Sequence, residues 1–364
     1  MITLKGPLTV PRVWVGLWQL AGPAWGTAPA SKVRAEMNRH LEQGFTTFGK
    51  SCHLADHYGS SEMIFGQFRK SRLATSQTLP IGATKWCIFK SPTSPYTRKQ
   101  VEDAIRERIS RMKSDRLDLL QIHWQDYDDL TYIETLQHIV DIKREGRIRI
   151  DALGLVNFDA RRVDEICEFL GEGEIITNQV QFSLVDTRPL HGMAVVCAKH
   201  RVKLLTYGTL CGGFLSDRWL EQPQPDPYFD PLTPSQRKVF IITNSYHRSR
   251  NVSQPVLQVS RCHSGAWGGW DLFQSLLCVL RVIGDRHGGL SISNVATRWV
   301  LDHPFVAAVI IGVRLGVAEH KDDNSRVFGF RLSPKDRADI EEVLDRSNGH
   351  NLIHTIGDCG SEYR

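Results

Sequence analysis

The chain has 364 residues, 45 Lys+Arg against 40 Asp+Glu for a formal charge of +5, and 41% hydrophobic content. That length suits one large α/β barrel, and the small basic excess is dispersed, without the basic blocks that track a nucleic-acid backbone; nucleic acid is not an expected partner. No apolar run reaches the roughly 18–20 residues that span a bilayer, and Met1-Ile2-Thr3-Leu4-Lys5-Gly6-Pro7 lacks a charged start followed by an apolar core, so a cytoplasmic protein without a membrane anchor is expected.

Short apolar runs alternate with longer amphipathic stretches along the chain. Val13 to Leu17 reads as a strand and Ser31 to Gln43 as a helix, followed by strand Ile81 to Lys85, helix Arg98 to Met112, strand Leu117 to His123 and helix Leu130 to Arg144. Strands continue at Ala152 to Leu155, Ile175 to Val180, Lys203 to Tyr207 and Ala307 to Ile311, with helical patterns at Val163 to Leu170 and Leu190 to His200. Thr97 with Gln100, and Ser333-Pro334 with Asp336, are helix-start signals. Some eight strand–helix alternations imply parallel strands with crossover helices, hence a (β/α)8 TIM barrel as a single domain over 1–364. An open doubly wound sheet is the alternative, but no Gly-rich dinucleotide fingerprint follows the first strand.

One stretch breaks the rhythm. From Lys238 to Ala266 the chain has neither period and is rich in Ser, Arg, His and Asn, so 239–265 is expected to be a long irregular, disordered insertion before the last helices. The eight cysteines form no CxxC pair, which points to buried thiols and to neither a zinc site nor a disulfide framework; no metal is expected.

Three polar side chains stand beside apolar runs: Tyr58 in Ala55-Asp56-His57-Tyr58-Gly59-Ser60-Ser61-Glu62, Lys85 after Leu79 to Thr84, and His123 after Leu117 to Ile122. A phenol with a pKa near 10 is a poor acid at neutral pH, and a nearby ammonium that stabilises its phenolate makes it a better one. An imidazole beside the pair can orient a carbonyl. Taken singly, a Tyr before Gly is a loop anchor, a strand-end Lys a snorkelling chain and a His after an apolar run a core residue.

Seven segments in order resemble the aldo-keto reductases, carbonyl reductases on a TIM barrel that use NAD(P)H. They are ADHYGSSE around Tyr58, ATKW around Lys85, LDLLQIHW around His123, LGLVNFD around Asn157, NQVQFSLVDTRP around Gln179, LLTYGTLCGGFLS around Tyr207, and VIIGVRLGVAEHKDDN from Val309 to Asn324. The resemblance implies that Tyr58 is the general acid, Lys85 its tuner and His123 the orienting donor for a small-molecule carbonyl substrate. It implies that Asn157 and Gln179 hold the nicotinamide carboxamide, that Tyr207 stacks on its ring, and that Leu210 and Gly212 belong to a pyrophosphate strap. Arg314, Glu319, Asp323 and Asn324 match the segment at the adenosine end, where the guanidinium of Arg314 suits a 2′-phosphate, so NADPH is expected over NADH. Val156 stands where the family has a Ser, removing one hydroxyl contact with the cofactor amide.

The family's fourth catalytic residue, an Asp five residues before the Tyr that pairs with the Lys, is missing. His53 occupies that place counting back from Tyr58, and Gly49 occupies it counting forward from Phe48. A slow or inactive enzyme is therefore expected, with a non-catalytic NADPH-binding barrel, a sensor or regulatory subunit, as the alternative. Residues 49–54 and the stretch after Lys238 interrupt family-like blocks and rejoin them abruptly, so both read as translated intron sequence or as divergent loops. Substrate identity and oligomeric state are not legible. Trp18, Trp86, Trp124 and Phe182 lie by strand ends and read equally as pocket lining or as core.

Overall fold

The computed structural model describes residues 1–4, 8–21, 28–49, 59–75, 78–90, 92–233, 235–237, 239–240, 267–318 and 320–363, without side chains at 21, 59 and 60. The segment 239–265 expected to be an insertion lies, apart from Val239 and Phe240, outside the described residues, as do Tyr58 and Glu319.

Eight strands close into a parallel barrel in sequence order: β1 (Val13–Gly16), β2 (Thr47–Gly49), β3 (Ile81–Ile88), β4 (Leu119–Trp124), β5 (Leu153–Val156), β6 (Ile175–Gln181), β7 (Lys203–Tyr207) and β8 (Val306–Gly312). Pairing of Val309 with Val13 closes the ring. Each crossover carries at least one helix: α1 (Ala30–Glu42), α2 (Gly59–Ala74), α3 (Arg98–Arg111), α4 (Tyr132–Glu145), α5 (Ala160–Leu170), α6 (Met193–His200), then α7 (Gly269–Arg286) with α8 (Ile292–Leu301). A helix α9 (Pro334–Asp345) follows β8. The expected alternation is thus present, and an open sheet is excluded by the closed ring.

Helix starts follow the sequence signals. Thr97 and Gln100 form a reciprocal capping box at α3, and Ser333 and Asp336 do the same at α9, with Pro334 at the first helical position. Each box satisfies backbone N–H groups that a first turn leaves without intrahelical partners.

The core has two compartments, because alternate strand residues point into the barrel or out to the helices. Trp14, Ala83, Leu119, Ala152, Leu205, Ala308 and Ile310 form an inner cluster, joined by Leu4, Leu8 and Val10 from an amino-terminal hairpin pairing Ile2–Thr3 with Thr9–Val10. Trp86, Trp124 and Phe182 instead belong to the larger cluster. Trp86 lies under the Arg108 guanidinium, and Trp124 packs on Tyr96 and Tyr132, so these three aromatic residues are core. Trp18 is half-buried in a 3-10 turn after β1. No described helix is long and apolar enough to cross a membrane.

Candidate active site

The carboxyl-terminal ends of the strands bring buried polar groups together. Lys85, in β3, is fully buried, and its Nζ donates to Gln179 Oε1 in β6 at 2.8 Å. These strands are not neighbours, since β4 and β5 lie between them, so the bond spans the barrel interior. An ammonium in such a place requires polar company, because stripping its hydration without replacement costs several kcal/mol, on the order of the stability of a whole domain.

His123 lies on β4, paired with Cys87, two residues beyond Gln121, the partner of Lys85. It is buried, with Nδ1 3.1 Å from the Val156 carbonyl. A carbonyl oxygen can only accept, so Nδ1 carries a proton; the neutral ring offers Nε2 as an acceptor, and only the imidazolium offers it as a donor. A donor role at Nε2 would therefore require the protonated ring.

Asn157, directly after β5, is buried in the left-handed region at φ 59°, which Asn tolerates better than most non-glycine residues. Its N–H donates to the Gln179 carbonyl at 2.9 Å, and its own carbonyl accepts from Tyr127 Oη at 3.3 Å. Its Oδ1 accepts from the Tyr207 hydroxyl at 2.9 Å. Tyr207 ends β7, so Lys85, His123, Asn157, Gln179 and Tyr207 come from β3, β4, the end of β5, β6 and β7 and gather at one mouth. Two side-chain amides beside an aromatic ring form a donor and acceptor set that fits a nicotinamide carboxamide and its ring, so the residues present suit a nicotinamide cofactor.

The remaining expected cofactor residues are placed unevenly. Leu210 and Gly212 lie in the loop after β7; Gly212 is left-handed at φ 69°, and a Cβ there would come 2.9 Å from the Gln236 nitrogen. The close backbone approach that Gly212 permits is therefore to residues 235 and 236 of this chain. Arg314 is exposed in the loop after β8, in an isolated bridge with Ala318. Asp323 and Asn324 lie in the helical turn Lys321–Ser325. Asp323 accepts from Ser291 Oγ and Asn294 Nδ2, each at 2.8 Å, so its carboxylate holds the start of α8.

No carboxylate enters the site from β2. A Cβ built on Gly49 would meet Trp14 Cε3 at 3.3 Å and Ala83 Cβ and Ile310 Cδ1 at 3.9 Å, so the position faces the barrel interior. Among the described residues a cluster of metal-binding type, Asp164, Glu168 and His200, lies on the outer helices α5 and α6. Lys199 Nζ sits 2.7 Å from a carboxylate oxygen of both Asp164 and Glu168, making the cluster an ion-pair network.

One participant was not legible in the sequence. The segment after α9 runs through the turns Gly349–Asn351 and Leu352–Ile356 to a 3-10 turn at Ser361–Tyr363, which brings Tyr363 to the mouth. Its hydroxyl lies 2.9 Å from that of Tyr207, and its ring stands edge-on to His123, with centroids 6.4 Å apart and planes at 87°. Asp358 and Glu362 tie this segment to Ala160 N and Arg188. Nothing in Asp358-Cys359-Gly360-Ser361-Glu362-Tyr363 signals such a contact, because it joins residues more than a hundred positions apart.

Residues 12–345 match the model of the Aldo/keto reductase family. The chain is 24% identical over 340 residues to the aldo-keto reductase YhdN of Bacillus subtilis, covering 92% of this chain and 90% of that protein. The glycerol dehydrogenase AKR11B4 of Gluconobacter oxydans superposes with a TM-score of 0.70 at 21% identity, covering 95% of both chains. An aldo/keto reductase from Klebsiella pneumoniae in complex with NADP and acetate superposes at 0.60 with 17% identity, covering 92% of both chains. The two solved structures agree with the closed barrel, and the family model spans every strand of it from β1 to β8. With the polar groups gathered at the strand ends that the sequence segments indicated, the chain belongs to the aldo/keto reductase family.

Proposed function

We propose that the protein reduces small carbonyl compounds with NADPH, with Tyr58 as general acid, Lys85 as the cation that stabilises its phenolate, and protonated His123 directing the carbonyl through Nε2. The observation that carries this reading is the Lys85 ammonium, fully buried at the mouth and bonded to Gln179, with the Asn157–Tyr207 pair on adjoining elements. When bound, the cofactor supplies a hydride to the carbonyl carbon. The protein's part is to hold the carboxamide with Asn157 and Gln179, to pack Tyr207 on the ring, and to deliver a proton to the carbonyl oxygen. The NADP bound by the Klebsiella pneumoniae relative supports NADPH. Arg314, Glu319, Asp323 and Asn324 are assigned to the adenosine end, with Leu210 and Gly212 beside the pyrophosphate. Because β2 ends in Gly49 and not in a carboxylate, turnover is expected to be slow. The buried thiols of Cys167, Cys197, Cys211 and Cys359, none of them in a disulfide, favour the reducing cytoplasm as its compartment.

NADPH consumption against a panel of aldehydes and ketones tests this. Turnover that falls about 10²–10⁴-fold in Tyr58→Phe and in Lys85→Met, with NADPH still bound, is the expected result. Unchanged turnover in either variant removes that residue from the mechanism, and NADPH binding without turnover of any carbonyl favours the sensor.

A further inference from the structure

We infer that Tyr363 is a positioning residue for the nicotinamide end of the cofactor, acting through Tyr207 and Asn157. The inference rests on the assignment of those two residues to the nicotinamide. The Tyr207 hydroxyl lies 2.9 Å from Asn157 Oδ1 and 2.9 Å from the Tyr363 hydroxyl. A phenol has one proton, so the Tyr207 hydroxyl is held from both sides, donating one of these bonds and accepting the other. Without the Tyr363 hydroxyl, Tyr207 keeps of these two only its bond to Asn157. The Tyr207 ring also loses the contact that holds its hydroxyl end.

The Tyr363 end of this chain is anchored. Arg188 donates to both carboxylate oxygens of Glu362, at 2.8 and 3.0 Å, and to the Asp358 carbonyl at 3.1 Å. Asp358 Oδ2 accepts from Ala160 N at 2.7 Å, at the start of α5. Gly360, left-handed at φ 82°, lies so close to Asn157 that a Cβ would overlap the Asn157 carbonyl oxygen. The segment therefore touches Asn157 twice, through the Gly360 backbone and through the tyrosine pair. A chain end that merely rested on the surface would not meet the same residue by two routes.

The test measures equilibrium binding of NADPH and of 2′-phospho-ADP-ribose, which lacks the nicotinamide, by quenching of protein fluorescence. Wild type is compared with Tyr363→Phe and Asn157→Ala. Tyr363→Phe is expected to weaken NADPH roughly three- to tenfold, the span of one net hydrogen bond, and to leave 2′-phospho-ADP-ribose unchanged. Equal weakening of both ligands shows a general structural role and overturns the inference. Tighter NADPH binding in Tyr363→Phe shows a plug that the cofactor must displace, and overturns it too. If Asn157→Ala weakens NADPH while Tyr363→Phe does not, this inference fails alone. If Asn157→Ala has no effect, or wild type binds no NADPH, the assignment of Asn157 and Tyr207 fails and takes the inference with it.

Discussion

Replacing Arg188 with Met tests how the carboxyl-terminal segment is held at the mouth. The guanidinium is 2% exposed and directs all five of its N–H donors to protein acceptors. Nε and Nη2 reach the two Asp186 oxygens at 2.9 and 2.7 Å, Nη1 and Nη2 reach the two Glu362 oxygens, and Nη1 also reaches the Asp358 carbonyl. Burial pushes the pKa of this group down, but the adjoining Asp186 and Glu362 carboxylates outweigh it and the net displacement is upward, so the cation is strongly favoured in place. Met fills similar space and leaves two carboxylates behind, Asp186 at 3% exposure and Glu362 at 13%. Breaking a buried pair from one side costs about 3–5 kcal/mol, against roughly 5–15 kcal/mol for the stability of a domain. Asp186 is fixed within the loop after β6 and cannot reach water, whereas Glu362 can leave if the segment detaches. The loss should therefore divide into a lower urea midpoint and faster amide exchange over residues 357–363. Glu362→Gln keeps Arg188 paired with Asp186 and is expected to lose less, about 1–3 kcal/mol. The reasoning is refuted if Arg188→Met loses less than about 1 kcal/mol while exchange in the segment stays at the wild-type rate, since stranded buried charges cannot be that cheap.

Two further expectations concern titratable groups away from the mouth. Asp336 is buried, which by itself raises its pKa, but bonds from His287 Nε2, Ser333 Oγ, Ser333 N and Arg286 Nη1 carry it below the usual carboxylate value. A depressed native value means that the unfolded chain takes up the proton first, so this contribution is complete above the ordinary Asp pKa of about 3.9 and fades as pH falls through the lower native value. Acid unfolding curves should show less pH dependence below about pH 4 in Asp336→Asn, and an identical acid limb removes the group from the account. Burial pushes the thiols of Cys167, Cys197 and Cys211 up to about 12, whereas Cys278 is exposed. With Cys52 and Cys262 replaced by Ser, a thiol reagent at neutral pH should modify Cys278 alone in the native protein; rapid labelling at Cys167 would show that α5 and α6 open readily.

Alternation of apolar runs with amphipathic helices, and the Thr97 and Ser333 helix starts, are local properties of the chain. Backbone geometry turns such periods directly into strands and helices, so seven of the eight barrel strands and their order could be read from sequence, while the three-residue β2 at Thr47–Gly49 is too short to show a period. The residue segments around Lys85, His123, Asn157, Gln179 and Tyr207 likewise named groups that the barrel brings to one mouth, because strand ends in a closed parallel barrel converge whatever their separation in sequence. Which way each side chain points depended on the closed ring. Trp86 and Trp124 read equally as pocket or core until strand pairing placed them toward the helices, and Asp323 proved to hold the start of α8. The proton required on His123 Nδ1 follows only from the Val156 carbonyl on the neighbouring strand. The segment that carries Tyr363 to Tyr207 was beyond sequence reading altogether. Its bonds to Arg188 and Ala160 cross more than 150 positions and leave no period behind, so only the packed barrel could bring them together.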